Sequence, residues 1–153
     1  MPTEGAKSPA FSLKSANGET VKLSGFKGKC VVLYFYPKDD TPGCTVEANE
    51  FQANAKAFEK AGAVVIGVSP DSEKSHCKFA DKFGLTLTLL ADEKHEVAEK
   101  YGVWVEKSMY GRKYMGVQRA TFLIDENGRI AKVWPKVKPE GHAKEVLDAI
   151  KSR

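Results

Sequence analysis

Cys30-Val31-Val32-Leu33-Tyr34-Phe35-Tyr36 runs without a charged residue into Pro37-Lys38-Asp39-Asp40-Thr41-Pro42-Gly43-Cys44-Thr45-Val46-Glu47. The first seven residues have the continuous apolar pattern of a strand buried on both faces. The rest reads as a loop and a helix start: Thr41 suits the N-cap, Pro42 the first helical position, and Cys44 falls about three residues into the turn. Backbone N–H groups there have no partner within the helix, and the macrodipole favours negative charge. A thiol at that point is biased towards thiolate, the form that acts as a nucleophile.

Outward from this stretch, buried strands alternate with helices. Phe11-Ser12-Leu13 and Val21-Lys22-Leu23 flank Asn17-Gly18, a hairpin-like turn near the N-terminus. Val46, Phe51, Ala55 and Phe58 recur at roughly helical spacing, which predicts one helix from Thr45 to Ala61, ending near Gly62. A second buried strand covers Ala63 to Val68, and a helix with His76, Phe79, Ala80 and Phe83 on its apolar stripe covers Ser72 to Phe83. A strand from Leu85 to Leu90 and a short helix from His95 to Tyr101 follow. The pattern from Val103 to Gln118 is irregular; strands then read over Ala120–Ile124 and Ile130–Trp134, and a helix over Gly141–Lys151. The order predicts an α/β layer fold, a mixed sheet covered by helices. In such sheets ligands bind beyond the carboxyl ends of parallel strands, where the loop carrying Cys44 lies.

The 153 residues fit one domain, residues 1–153, with no repeat, linker or low-complexity tract. A net charge of +4 with no basic run interleaved with aromatics argues against nucleic-acid binding. Met1 to Ala10 lacks a signal-peptide core, and no stretch approaches the ~20 apolar residues of a membrane helix, so a cytoplasmic protein is expected. Cys30, Cys44 and Cys77 are odd in number and far apart, with no zinc-ribbon or C-x-x-C spacing. A disulfide scaffold is therefore not expected, and at most one pair serves as a transient redox couple.

Pro37-x-x-x-Thr41-x-x-Cys44 resembles the active-site signature of peroxiredoxins, and the string from Tyr34 to Glu47 is similar to their bacterioferritin comigratory, or Q-type, branch. The resemblance extends through Gly67-Val68-Ser69-Pro70-Asp71-Ser72, Leu89-Leu90-Ala91-Asp92 and Tyr114-Met115-Gly116-Val117-x-Arg119-x-Thr121-Phe122-Leu123-Ile124-Asp125. It implies a thioredoxin-like fold and reduction of hydrogen peroxide and organic hydroperoxides by a peroxidatic cysteine, without metal or organic cofactor. It also implies regeneration by thioredoxin or a similar dithiol protein, and a monomer.

Under that resemblance Cys44 attacks the terminal peroxide oxygen and becomes a sulfenic acid. Thr41 either caps the turn, or points its hydroxyl at the sulfur or the peroxide, or does both. Pro37 and Pro42 stiffen the loop and shield the sulfur. Arg119, just before an apolar strand, brings a fixed positive charge to the sulfur, or is simply a solvated strand-end residue. Glu47, about one turn below Cys44, either orients Arg119 or the loop backbone, or is a plain surface carboxylate. Cys30 reads as packing, and His76 as a satisfied core histidine. The acids of Asp92-Glu93-Lys94-His95-Glu96 read as helix caps, not metal ligands.

Many members of the branch carry a resolving cysteine five residues after the peroxidatic one; here that position is Asn49. Others place it on the helix after the second strand, at the position of Ala80, whereas this chain has Cys77. At ~100° per residue the apolar stripe of that helix is centred roughly 110° away from Cys77, which predicts an exposed, poorly aimed thiol. Either Cys77 resolves the sulfenic acid after local unfolding, or an external thiol does. Two other functions compete: a dithiol oxidoreductase, disfavoured because Cys44 lacks a C-x-x-C partner, and a non-enzymatic peroxide sensor.

Overall fold

The computed structural model describes residues 1–153. Its core is strand β3 (Cys30–Phe35), in which every residue is buried. Alternate side chains of a strand point to opposite faces, so β3 feeds two cores at once. Cys30, Val32, Tyr34 and Tyr36 join one cluster; Val31, Leu33 and Phe35 join the other.

Around β3 the sheet has seven strands: β1 (Ser12–Ser15), β2 (Thr20–Lys22), β3, β4 (Ala63–Ser69), β5 (Thr88–Ala91), β8 (Ala120–Ile124) and β9 (Ile130–Trp134). Their order is β2-β1-β5-β4-β3-β8-β9. Strands β3, β4 and β5 run parallel, and β1, β2, β8 and β9 pair antiparallel. This is the expected mixed sheet with an N-terminal hairpin, the thioredoxin-like arrangement. Helices α1 (Pro42–Ala53), α2 (Ala55–Lys60), α3 (Glu73–Phe83) and α5 (His142–Lys151) cover the Tyr34 face. The short helix α4 (Glu96–Lys100) and Phe11 cover the other. No helix is long and apolar enough to cross a membrane.

Three segments differ from the sequence reading. The strand expected over Leu85–Leu90 begins only at Thr88 and runs to Ala91 as β5. The helix expected from Thr45 to Ala61 breaks at Asn54, whose side-chain amide donates to the Glu50 carbonyl at 2.8 Å. That bond competes with the helical ladder and lets α2 start on a new axis. The segment read as irregular is an antiparallel ribbon, β6 (Trp104–Met109) and β7 (Arg112–Val117). Its Tyr110-Gly111 turn has positive φ at both residues, 52° and 78°, as a tight hairpin turn requires. Most of the ribbon is exposed or half-buried, so no face carries the period-2 apolar signal that reveals a strand.

Candidate active site

Thr41 occupies the N-cap of α1 in extended conformation, with Pro42 at the first helical position. Thr45 N–H bonds back to the Thr41 carbonyl at 2.9 Å, which leaves the Gly43 and Cys44 N–H groups without helical partners. Cys44 therefore sits at the positive end of the helix, as its spacing predicts, and it is only 1% exposed.

Arg119, between β7 and β8, reaches the sulfur from across the fold. Its Nη2 donates to Cys44 Sγ at 3.3 Å, and its Nη1 donates to Glu47 Oε1 at 2.7 Å. The planar guanidinium thus binds both groups at once through separate nitrogens held in a fixed fork. Burial works against the Arg119 charge, but Glu47 and Cys44 more than offset it and raise the pKa further. Gly43 makes room for this approach: a Cβ there would lie 3.1 Å from Arg119 Nη2.

Glu47 is not a surface carboxylate. It is 1% exposed, and its second oxygen, Oε2, has no hydrogen-bond partner. Burial pushes its carboxyl up to about 7, against the opposing pull of Arg119. The Thr41 hydroxyl donates to the Lys38 carbonyl at 2.8 Å; it neither caps the helix nor bonds the sulfur. Pro37 is half-buried where the chain leaves β3 for the Cys44 loop.

Cys77 is exposed on α3, its Sγ 3.9 Å from an Asp81 carboxylate oxygen. It lines a groove of about 350 Å³ shared with Ser15, Ala16 and Asn17 of the N-terminal hairpin, which Cys44 does not reach. All three cysteines are free thiols. Cys30 is buried at the start of β3, and Asn49 is exposed on α1. Asp92 caps α4, accepting from Val97 N–H at 3.2 Å and Ala98 N–H at 2.9 Å.

Two residues near the sulfur escaped the sequence reading. Lys107 comes from the ribbon read as irregular; burial and then the Arg119 charge lower its pKa, while Cys44 pulls the other way. Tyr34 reads from the sequence as part of the buried strand, yet its buried hydroxyl has no partner. Burial first, then the charges of Glu47 and Cys44, push that phenol well above its ordinary range. Only the alternation of β3, which aims Tyr34 at the same face as Cys44, could have flagged it.

The sequence profile of the AhpC/TSA family matches residues 5–133. Peroxiredoxin Bcp of Bacillus subtilis (strain 168) is 52% identical over 147 residues, covering 96% of this chain and 94% of that protein. Peroxiredoxin Bcp of Escherichia coli (strain K12) is 46% identical over 143 residues, covering 94% and 92%. Among solved structures, the bacterioferritin comigratory protein of Xanthomonas campestris, studied for alkyl peroxide reduction, superposes with a TM-score of 0.91. It is 40% identical, and the match covers 97% of this chain and 98% of that one.

Proposed function

This chain belongs to the AhpC/TSA family, in its Bcp or Q-type peroxiredoxin branch, and from that premise we propose that Cys44 is the peroxidatic nucleophile of a thiol peroxidase. One observation carries the assignment: the Arg119 guanidinium donates to a sulfur held at a helix start, 3.3 Å away. A fixed cation and a helix N-terminus together favour thiolate.

The thiolate attacks the terminal oxygen of hydrogen peroxide or an organic hydroperoxide. As the S–O bond forms, the O–O bond breaks, and the leaving oxygen takes a proton as water or alcohol. Arg119 stabilises the charge that passes from sulfur to that oxygen. Glu47 keeps the guanidinium in place, and its single bound oxygen leaves Nη2 free for the sulfur. Rotation about the Thr41 side chain transfers its hydroxyl from Lys38 to the bound peroxide, while Pro37 holds the loop in shape. The product is a sulfenic acid on Cys44, with the sulfur oxidised by two electrons.

A thiol then condenses with the sulfenic acid, releasing water and forming a disulfide, which a second thiol reduces. We assign both electrons to thioredoxin or a similar dithiol protein. The exposure of Cys77 in a separate groove favours direct attack by that external thiol over an internal Cys44–Cys77 disulfide. The three free thiols fit a reducing compartment, and we place the protein in the cytoplasm, acting as a one-domain monomer.

The test follows peroxide consumption coupled to thioredoxin and its reductase. Cys44→Ser abolishes turnover, and Cys77→Ser retains it. An active Cys44→Ser variant sinks the mechanism; loss of turnover in Cys77→Ser transfers the resolving role to Cys77. Stoichiometric oxidation with no turnover, whatever the reductant, makes the protein a peroxide sensor instead.

A further inference from the structure

A buried polar cluster, which the peroxide chemistry above does not use, fastens the loop before Cys44 to α3. Asp39 stands in that loop and His76 on α3, and His76 has no exposed surface. His76 Nε2 lies 2.9 Å from the Leu90 carbonyl oxygen, which can only accept, so Nε2 carries a proton. Nδ1 lies 2.8 Å from Asp39 Oδ2. The Ser75 hydroxyl donates to that same oxygen at 2.8 Å, and the Tyr36 hydroxyl donates to Oδ1 at 2.6 Å. Nδ1 also lies 3.4 Å from the Tyr36 hydroxyl oxygen, so Asp39, His76, Tyr36 and Ser75 form one buried hydrogen-bonded cluster.

Asp71 completes the surroundings, its Oδ2 accepting the Asp39 N–H at 2.8 Å and the Ser69 hydroxyl at 2.6 Å. Burial, with Tyr34 and Asp39 adding to it, pushes the Tyr36 phenol well upward and keeps it a donor. The ligand-type atoms of Asp39, Asp71 and His76 lie within 4.8 Å of one another. Nε2 is already taken up by the Leu90 carbonyl and Nδ1 faces Asp39, so the cluster reads as a hydrogen-bonded clasp between the loop and α3. The neighbouring Asp40–Lys82 pair is exposed on both sides and adds little.

We propose that Asp39 and His76 are positioning residues for the peroxidase reaction: their buried pair clamps the loop from Pro37 to Thr41 onto α3. The clamp holds the Cys44 turn closed for peroxide and gives way when a thiol must reach the sulfur. The proposal rests on Cys44 as the nucleophile. A peroxide is small enough to reach a sulfur that is 1% exposed, whereas a protein thiol is not. The loop lies between the fixed strand β3 and Cys44, so uncovering the sulfur strains or breaks the Asp39–His76 contact. Separating one partner of a buried pair is costly, which keeps the resting enzyme closed.

The test separates the half-reactions by stopped flow on the intact protein: oxidation by hydrogen peroxide, then consumption of the sulfenic acid by 5-thio-2-nitrobenzoate. In Asp39→Asn and His76→Gln the peroxide step slows about tenfold and the thiol step quickens about tenfold, because an open turn misplaces the sulfur and exposes it. A merely structural role slows both steps; that result, or no change in either, overturns the clamp. Tyr36→Phe removes one donor and leaves the pair, so it gives the same opposed changes at roughly two- to threefold. If the first two variants do not fold, absence of that split in Tyr36→Phe overturns the proposal. Amide exchange across Cys44 to Ala48 reads the clamp independently of activity and quickens about tenfold in Asp39→Asn. If the wild type reduces no peroxide, the nucleophile assignment fails, and unchanged exchange in the variants refutes the clamp separately.

Discussion

At the scale of single residues, the site turns on a carboxyl group placed where water cannot solvate it. Burial raises Glu47 from an ordinary 4.5 to about 7, with Arg119 opposing the shift. A raised pKa on an acid means that the fold prefers the protonated form. Glu47 therefore binds a proton on folding between about 4.5 and 7, and its ionisation weakens the fold as pH rises through that window. Above pH 7 the cost is constant. Glu47→Gln keeps an acceptor for Arg119 Nη1 and loses the titration. Relative to wild type, the variant gains on the order of 3 kcal/mol of stability between pH 4.5 and 8, at about 1.4 kcal/mol per pKa unit. Urea unfolding at both pH values measures it; parallel pH dependence of the two proteins would show that the carboxyl is not held in a desolvated site.

At the scale of elements, what was legible in the sequence is what short-range signals encode. The β3 run and the Thr41-Pro42-Gly43-Cys44 helix start are local, and both stand where the sequence reading puts them. Glu47 lies within a turn of Cys44, so its company could be guessed from spacing alone. The partnership of Asp39 with His76, by contrast, spans α1, α2, β4 and the start of α3, and no local pattern encodes it. The β6–β7 ribbon hid because its faces are too exposed to alternate, and Lys107 hid with it. The Thr41 hydroxyl shows the limit of a propensity: the residue stands at the N-cap, while its side chain bonds backward to Lys38.

One further element-level constraint follows from the register of β3 against β4, which sets Tyr34 opposite Gly67. The Tyr34 ring lies over that glycine, where a Cβ would come within 2.7 Å of Cζ. The same ring stacks on Phe51 of α1 at 4.6 Å between centroids, so the glycine indirectly seats the helix that bears Cys44. Gly67→Ala forces the ring outward against Phe51. Overpacking of this kind costs about 1–3 kcal/mol, read as a lower urea midpoint, and the displaced helix lowers kcat/KM for peroxide in the same variant. A variant as stable and as active as wild type would show that Tyr34 does not set the position of α1.

At the scale of the whole molecule, the sheet distributes three thiols into three environments, and their reactivities should separate accordingly. Cys44 is buried beside a guanidinium at the carboxyl end of β3. Cys30 begins the same strand at its other end, where burial pushes the thiol up to about 11 despite Arg153, whose Nη1 donates to its sulfur at 3.3 Å. Cys77 is open to solvent on α3 but faces the Asp81 carboxylate, not a cation. Size and charge then select different sulfurs. Hydrogen peroxide, small and in need of a thiolate, oxidises Cys44 first. A bulky maleimide, limited by access, modifies Cys77 first. Cys30 stays unmodified by either until urea unfolds the sheet, because a buried thiol with a raised pKa offers almost no thiolate near pH 7. Peptide mass spectrometry after brief exposure to each reagent at pH 7 reads the order directly. Peroxide oxidation of Cys77 ahead of Cys44 would mean that the Arg119–helix environment does not activate the buried sulfur, and labelling of Cys30 in the folded protein would mean that the first turn of β3 opens far more readily than its burial implies.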